Sequence, residues 1–591
     1  MKKVTLGIGG QLGHDANAAV VVDGREIFAA QEERYTRVKH DGRFPQQALA
    51  ECFAFAGVSP AEVTDVVFGE KPLQSLCFDR SARTGNRLTR ALGQLVPEGW
   101  RGAYVKPARQ LMPRARFHFA WHHLAHVAGA FHTSPYSRAA FLCVDGKGED
   151  YSASAGIIDG NDIRILWEHP YENGLGIFYQ LVTHYLGFLS FGSEYKVMGL
   201  APYGRPIYVE KLSGLFTSDA QGGFRLSIPI RGTGASFMAS LHYVATATGV
   251  PIRGPKDPLT QAHIDVAASL QAIFEREVLR MAAFVRAQTG EENLLFCGGC
   301  AQNCVTAGLL RRERIFVSVF NSPVGGDMGT GLGAALLLER EHHQGRLSQV
   351  ETRGFYLGSP PGPAPAAAEP WAVNFEGALF AHVAAELSRG KIVAWVRDRM
   401  ELGARALGAR SILADARQPG MQSRLNLAVK FRESFRPFAP LVLAEECSRW
   451  FDTDEPSDYM QYTANLVPAR RHAQPDAFPS LRERLDFPRC DIASVVHVDY
   501  SARLQTIRRE IHPDMHRLLT AFKDLTGVPI LINTSFNVSG QPIVRTGAEA
   551  WECFINTDID LLVIEDRLFR NPFTKTREEK LSWLSQFAAS A

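Results

Sequence analysis

Short apolar blocks separated by glycine turns open the chain: Val4 to Ile8, then Ala18 to Val22, turning at Asp23-Gly24 into Ile27 to Ala30. Runs of this length between turn residues read as strands, so a β-meander is expected to open a mixed sheet. Ala48, Leu49, Cys52, Phe53 and Ala56 then recur at the helical period, and Gly57 is placed to end that helix. The same grammar returns later. Ala139 to Val144 runs into Asp145-Gly146-Lys147-Gly148-Glu149, and Ser152 to Ile158 leads to a turn at Asp159-Gly160. Two units of strand, glycine turn and strand, each followed by helices, predict an internally duplicated α/β domain.

From Ile264 to Val285 the residues Ala267, Ala268, Leu270, Ile273, Phe274, Val278, Met281 and Ala282 mark a long helix with a broad apolar face. It feeds a buried strand, Leu294-Leu295-Phe296, that ends in Gly298-Gly299. A further strand, Ile315 to Val319, ends near Gly325-Gly326-Asp327, and a helix is expected from about Gly331. The stretch Gly358 to Pro370 is a proline and alanine tract suited to neither a core helix nor a ladder strand. Beyond it, Ile392 to Val396, Leu441 to Leu443, Pro529 to Ile532 and Leu561 to Ile564 read as strands, with a helix over Met515 to Leu525. The expected division is a first domain over 1–356, a linker over 357–372 and a second α/β domain over 373–591.

Length supports that division, because 591 residues exceed the roughly 250–300 at which one core stops growing. A hydrophobic share of 46% with 21% charged residues is ordinary globular composition. A formal charge of +2 supplies no net basic field for a polyanion, so neither nucleic acid nor an anionic membrane surface is expected as the main partner. The apolar stretch after Met1-Lys2-Lys3 is broken by Gly7, Gly9 and Gly10, which argues against a signal-peptide core. No apolar run reaches the roughly 18 residues of a membrane helix. Nine cysteines, an odd number, fit reduced thiols in a cytoplasmic protein better than a disulfide framework. A homodimer is the default expectation for an oligomer.

Candidate chemistry concentrates in a few places. His122 and His126 lie four apart, on one helix face, as two imidazoles sharing a metal would. A plain histidine pair with no ligand has the same spacing. Asp145, where a strand ends in glycines, and Asp327, in a glycine loop, are carboxylates that could complete a mixed nitrogen and oxygen site. Such a site favours iron, manganese or zinc over calcium. The glutamate that follows the first histidine in zincins is absent from HHLAH, which makes a metalloprotease reading weak. Cys297, Cys300 and Cys304 include one CxxC spacing, yet no second pair lies nearby. Gly298-Gly299 with Gln302-Asn303, and Gly325-Gly326, instead resemble turns whose bare amides can approach a nucleotide. In the C-terminal half, Arg405, Arg410, Lys430, Arg432, Arg436 and Arg503, with Asn533-Thr534-Ser535, would together make a site for phosphates and a planar acyl group.

Taken together, the ordered motifs resemble the nodulation-protein-U and cephem carbamoyltransferase family, which includes tobramycin and other antibiotic carbamoyltransferases. The resembling stretches are His14-Asp15-Ala16, Glu32-Glu33-Arg34, Arg37-Val38-Lys39-His40, HHLAH at 122–126, Val144-Asp145-Gly146 with Gly148-Glu149, and Lys196 to Gly204. They continue with GGCAQN at 298–303, GGDMG at 325–329, Glu401 to Ser411, Lys430 to Pro437 and NTSFN at 533–537. The resemblance implies an actin-like N-terminal domain and a YrdC-like C-terminal domain. It further implies that carbamoyl phosphate and ATP become carbamoyl adenylate in the second domain and that a metal site in the first passes the carbamoyl group to a small-molecule alcohol. By the same resemblance His122, His126, Asp145 and Asp327 hold a divalent metal, expected to be iron(II), with magnesium(II) accompanying ATP. His14 becomes the candidate general base, and Arg405, Lys430, Arg436, Arg503 and Ser535 hold carbamoyl phosphate and the adenylate. Two rivals stand beside this reading: a threonylcarbamoyl-type tRNA modification enzyme, against which the near-neutral charge speaks, and a non-catalytic actin-like ATPase.

Overall fold

The computed structural model describes residues 2–10, 13–71, 104–160, 162–171, 174–230, 235–342, 355–375, 377–475 and 478–590. Its contacts divide the chain into two units, Met1–Glu32 with His40–Glu351, and Glu33–Lys39 with Thr352–Ala591.

The first unit contains two five-stranded sheets. Strands Val4–Gly9 (β1), Asn17–Val22 (β2), Arg25–Gln31 (β3), Asp65–Phe68 (β4) and Arg116–Phe119 (β5) pair in the order β3-β2-β1-β4-β5. Strands Arg138–Gly148 (β6), Tyr151–Asp159 (β7) and Asp162–Pro170 (β8) precede a small hairpin, Phe216–Ser218 (β9) and Phe224–Leu226 (β10). Asn293–Cys297 (β11) and Ser318–Asn321 (β12) complete the second sheet, ordered β12-β11-β6-β7-β8. In each sheet the first three strands form an antiparallel meander, and the last two lie parallel to the first strand. The expected duplication is therefore present, strand for strand, in a mixed α/β arrangement. Helix Gln46–Ala56 (α1) ends at Gly57 in the left-handed conformation, φ 60°, as its spacing predicted. The strand expected over Ile315 to Val319 is shifted to β12, because Arg314 turns the chain at φ 50° and buried Asn321 is held by Ala301 O.

Five helices frame the site described below: α1, His122–His132 (α2), Gln261–Thr289 (α3), Cys304–Arg312 (α4) and Thr330–His342 (α5). Helix α2 lays Val127, Ala130 and Phe131 on Phe141, Cys143, Leu295 and Cys297 of the second sheet. Its packing on α5 is unusually close: a Cβ on Gly333 would stand 1.9 Å from the Ala125 carbonyl oxygen. Only glycine allows that approach. Gly333→Val is therefore expected to force α2 outward, lowering stability by about 1–3 kcal/mol or more and weakening metal retention. Thermal melting with metal analysis of the purified variant checks both effects.

The second unit is built on a seven-stranded mixed sheet. Its strands are Val393–Val396 (β13), Arg410–Asp415 (β14), Ala439–Leu443 (β15), Gln505–Ile507 (β18), Ile530–Ser535 (β19), Leu561–Ile564 (β20) and Arg567–Arg570 (β21), ordered β18-β15-β19-β14-β13-β20-β21. Thr463–Asn465 (β16) and Ser501–Arg503 (β17) form a separate ribbon. Helices Leu379–Ser388 (α6) and Pro513–Thr526 (α7) cover one face, and Gly547–Ile555 (α8) packs with the other core. Two features differ from the sequence expectation. The tract over 357–372 includes a short 3-10 turn, Ala366–Trp371, and Ala368 is fully buried in this unit's core. Residues 33–39, inside the expected first domain, fold with the second unit. Arg34 donates to Gly403 O at 3.0 Å, and Arg37 donates to Ile543 O at 2.7 Å and Pro542 O at 2.8 Å and pairs with Glu549 at 3.1 Å. Among the described residues, no helix is long and apolar enough to cross a membrane.

Candidate functional site

In the first unit, the i and i+4 spacing on α2 puts His122 Nε2 and His126 Nε2 3.0 Å apart, both buried. Asp145, near the end of β6, reaches them with Oδ2 at 3.5 and 3.0 Å, and Asp327, in the turn before α5, places Oδ1 3.4 Å from each. The four residues read from the sequence thus form one cluster. His126 Nδ1 is buried without a hydrogen-bond partner, so the cluster is not closed by its own hydrogen bonds. Two imidazole nitrogens and two carboxylate oxygens converging on one point fit a borderline divalent cation.

His14 joins this cluster from the loop after β1, with Nε2 3.4 Å from Asp327 Oδ2. Asn17 and Thr330, which sequence reasoning did not single out, hold that loop to the Asp327 turn. The Asn17 amide donates to Asp15 O and Asp327 O, each at 2.9 Å, and accepts from Gly331 N at 2.9 Å. The Thr330 hydroxyl accepts from Gly10 N at 3.2 Å and donates to Asp327 O at 2.8 Å. Glu149, buried at the β6–β7 turn, accepts the backbone N–H of His122 at 2.8 Å and so caps the start of α2.

The paired glycine loops come together: Gly298 N–H donates to Gly325 O at 2.9 Å. Gly298 has φ 88° and no room for a Cβ beside the Val144 carbonyl, and a Cβ on Gly299 would stand 2.8 Å from Asp145 Oδ1. Gln302 lies beside Gly325 and Gly326. Asn303 has a different task from the cradle role expected for it. Its Oδ1 accepts from Thr306 N at 3.1 Å as the cap of α4, and its amide donates to Gln271 at 3.0 Å. The described cysteines are free thiols, and Cys297 and Cys304 are buried.

In the second unit, Lys430 is 3% exposed, and the three N–H groups of its Nζ are shared among Ser535 O at 2.5 Å, Ser535 Oγ at 3.2 Å, Asn537 O at 2.9 Å and Asn537 Oδ1 at 2.7 Å. All four acceptors are neutral. Burial and the charge of Arg432, with Arg436 and Lys39 adding to it, push this ammonium well below the usual lysine range. A buried cation with neutral partners among other cations leaves a place for an anion. The turn before it, Leu425–Val429, is π-helical, and Phe431 after it has φ 50°, so the backbone around Lys430 is strained. Asn533, two residues before Ser535 on β19, donates to Gln505 Oε1 at 2.6 Å and to Ala406 O at 3.0 Å, next to Arg405; its own Oδ1 is buried with no partner. Arg436 stands 3.6 Å from Glu433, and Arg503 lies on β17 opposite Thr463. Arg410, grouped with these on sequence, instead binds backbone: its guanidinium donates to the carbonyls of Arg397, Asp398, Ala409, Arg545 and Ser359. It is a fully buried brace, not a ligand-facing group.

The sequence profile of the carbamoyltransferase N-terminus matches residues 4–336, and that of the carbamoyltransferase C-terminus matches 384–571. The chain belongs to the carbamoyltransferase family. It is an enzyme of that class. An uncharacterized protein of Synechocystis sp. is 38% identical, with 97% of this chain and 98% of that one covered. The nodulation protein NolNO of Sinorhizobium fredii is 33% identical over 94% of this chain and 79% of its own length. A nodulation protein U of the same species is 28% identical over 92% and 95%. Among solved structures, component A of the (R)-2-hydroxyglutaryl-CoA dehydratase of Acidaminococcus fermentans is 14% identical, covers 57% of this chain and 99% of its own, and has a TM-score of 0.32, too low to inform the reading.

For a carbamoyltransferase, the charge state of the four-residue cluster matters. Burial opposes protonation of both imidazoles, but the two carboxylates outweigh it, raising His122 well above its ordinary value and His126 to about 9. Asp145 and Asp327 are held well below the carboxylate range despite burial. In metal-free protein, His126 adds stability that is complete below its ordinary value of 6.5 and disappears as pH rises through about 9. Metal binding needs neutral imidazoles and so strengthens over the same interval. After chelation, the melting temperature is expected to fall between these two pH values, while the rise produced by adding metal grows. A melting temperature that climbs with pH in the chelated protein contradicts this charge assignment.

Proposed function

We propose that the chain is an ATP-dependent O-carbamoyltransferase that uses carbamoyl phosphate and acts in the cytoplasm on a small-molecule alcohol, with no nucleic acid as substrate. The second unit serves as the YrdC-like half. Water frees carbamate and inorganic phosphate from carbamoyl phosphate, and a carbamate oxygen attacks the α-phosphorus of ATP as the bond to pyrophosphate breaks. Carbamoyl adenylate remains. Lys430, Arg405, Arg436 and Arg503 hold the anionic oxygens in this step, Ser535 and Asn533 orient the acyl group, and magnesium(II) accompanies ATP.

The transfer step belongs to the first unit. The acceptor hydroxyl attacks the carbamoyl carbon, its proton passes to His14 Nε2, and the bond from that carbon to the phosphate oxygen breaks to release AMP. The loops with Gly298, Gly299, Gln302, Gly325 and Gly326 would receive the nucleotide. A divalent metal held by His122, His126, Asp145 and Asp327, iron(II) by preference, would supply Lewis-acid stabilisation to an oxygen of the reacting group.

The observation that carries the reading is the convergence of the four metal-ligand candidates beside His14 in a chain of this family. The test is pyrophosphate release. Enzyme with ATP and carbamoyl phosphate is expected to release pyrophosphate only when both are present, and to carbamoylate hydroxyl acceptors. Release of ADP alone, or of pyrophosphate without carbamoyl phosphate, counts against the proposal.

A further inference from the structure

In the core of the second unit, a chain of hydrogen bonds fixes which way one side-chain amide faces. The Leu407 carbonyl can only accept, so it is the nitrogen of Gln505 that meets it, at 2.7 Å. The Gln505 oxygen is thereby turned to the other side, where it accepts from Asn533 Nδ2 at 2.6 Å. A second donation, from Asn533 Nδ2 to Ala406 O at 3.0 Å, makes the same demand on that amide. Both of its N–H groups are used, and Asn533 Oδ1 is left buried with no partner. Gln505 is fully buried and Asn533 is 1% exposed.

The relay starts from a loop that is itself held. Leu407 N–H donates to Glu401 Oε1 at 2.6 Å, and the Leu407 carbonyl also accepts from the Tyr356 hydroxyl at 3.1 Å, so the peptide groups on both sides of this residue are fixed. Gly403 and Gly408 bend the loop with φ 112° and 111°, a region open to glycine. An acceptor stranded in a core is rare and calls for a donor that the protein does not supply. Asn533 lies two residues before Ser535 on β19, hence on the same face of the strand, and Ser535 receives Lys430. Carbamoyl phosphate has one donor, its NH2; its carbonyl and its ionised phosphate only accept. An Asn533 amide turned the other way would instead donate to the carbonyl oxygen, which every acyl phosphate carries.

We propose that Gln505 is the positioning residue for acyl selection: through the relay from Leu407 it keeps Asn533 Oδ1 as an acceptor for the carbamoyl NH2, which disfavours acyl groups with no N–H at that place. The substrate assignment rests on the function proposed above. The orientation of the Asn533 amide does not.

Acetyl phosphate is the probe, because a methyl group stands where carbamoyl phosphate has NH2. It passes through the same steps: water frees acetate and inorganic phosphate, and an acetate oxygen attacks the α-phosphorus of ATP as pyrophosphate leaves, giving acetyl adenylate. Wild type is expected to favour carbamoyl phosphate by on the order of 10²-fold or more in kcat/KM for pyrophosphate release, since the methyl group leaves Oδ1 unpaired. Asn533→Leu, close to the same shape, is expected to bring the two substrates within about tenfold of each other. Gln505→Met keeps the length of the side chain but removes both bonds; it is expected to narrow the preference by on the order of tenfold, through a loss with carbamoyl phosphate alone. A residue that only supported the fold would lower both substrates together. Equal losses in Gln505→Met overturn the proposal, and so does a wild-type enzyme that uses the two substrates equally. In protein labelled with ¹⁵N-asparagine, the Asn533 side-chain NH2, assigned by its loss in Asn533→Leu, is expected to be protected from exchange with solvent and to lose that protection in Gln505→Met. Rapid exchange in wild type, or protection unchanged in Gln505→Met, contradicts the relay whatever the substrate. Protection lost as expected, in a protein that never releases pyrophosphate from carbamoyl phosphate, supports the relay and removes the proposed function instead.

Discussion

Lys430→Ala is expected to reduce pyrophosphate release from ATP and carbamoyl phosphate by on the order of 10²–10³-fold, the usual loss when one preorganised group facing developing charge is removed. The variant loses a buried cation whose four partners, on Ser535 and Asn537, are all neutral. Ser535 O keeps the Asn537 N–H, and the Ser535 hydroxyl stays bonded to Asn537 Oδ1, so the lost pairing falls on Asn537 O, at a cost of about 1–3 kcal/mol for a buried group that water does not reach. A fall in melting temperature should therefore accompany the loss. Lys430→Arg separates the two effects: charge is kept, but the guanidinium cannot reproduce the point contact with both residues, so stability should recover further than activity. Wild-type pyrophosphate release in Lys430→Ala would remove this residue from the adenylation step.

His126→Ala should do the reverse. The residue is fully buried, and its Nε2 is one of two imidazole nitrogens in the four-residue cluster. Metal content and carbamoyl transfer are expected to fall by more than about 100-fold, since a ligand rather than an outer partner has been removed. Pyrophosphate release should stay near wild type. Its loss together with transfer would contradict a division of labour between the two units.

The pairs most legible in the sequence were those set by local geometry. His122 and His126 are neighbours on any helix because of their spacing, and Asp145 and Asp327 stand at strand-end and glycine-loop positions where side chains meet across a duplicated fold. The duplication itself showed as a repeated strand, turn and strand pattern. What stayed hidden depends on backbone geometry or on distant partners. Asp15 and His40 are 25 residues apart and meet through two left-handed turns with no hydrophobic period to announce them. The placement of residues 33–39 with the second unit rests on arginines bound to backbone carbonyls, which any exposed arginine could equally have been. Arg410 and Asn303 show the converse difficulty: residue types suited to ligands are spent on main-chain carbonyls and on a helix cap. Composition alone reads the 357–372 tract as a linker, whereas a short 3-10 turn there carries Ala368 into the core of the second unit.

One labelling experiment bears most directly on the two-step chemistry. Protein is mixed with ATP and ¹⁴C-carbamoyl phosphate in the absence of acceptor, quenched, and its small molecules are separated. Labelled carbamoyl adenylate should be recovered from His126→Ala and be absent from Lys430→Ala. Label recovered as adenylate from Lys430→Ala, or an acceptor that becomes labelled while no pyrophosphate is released, would contradict it.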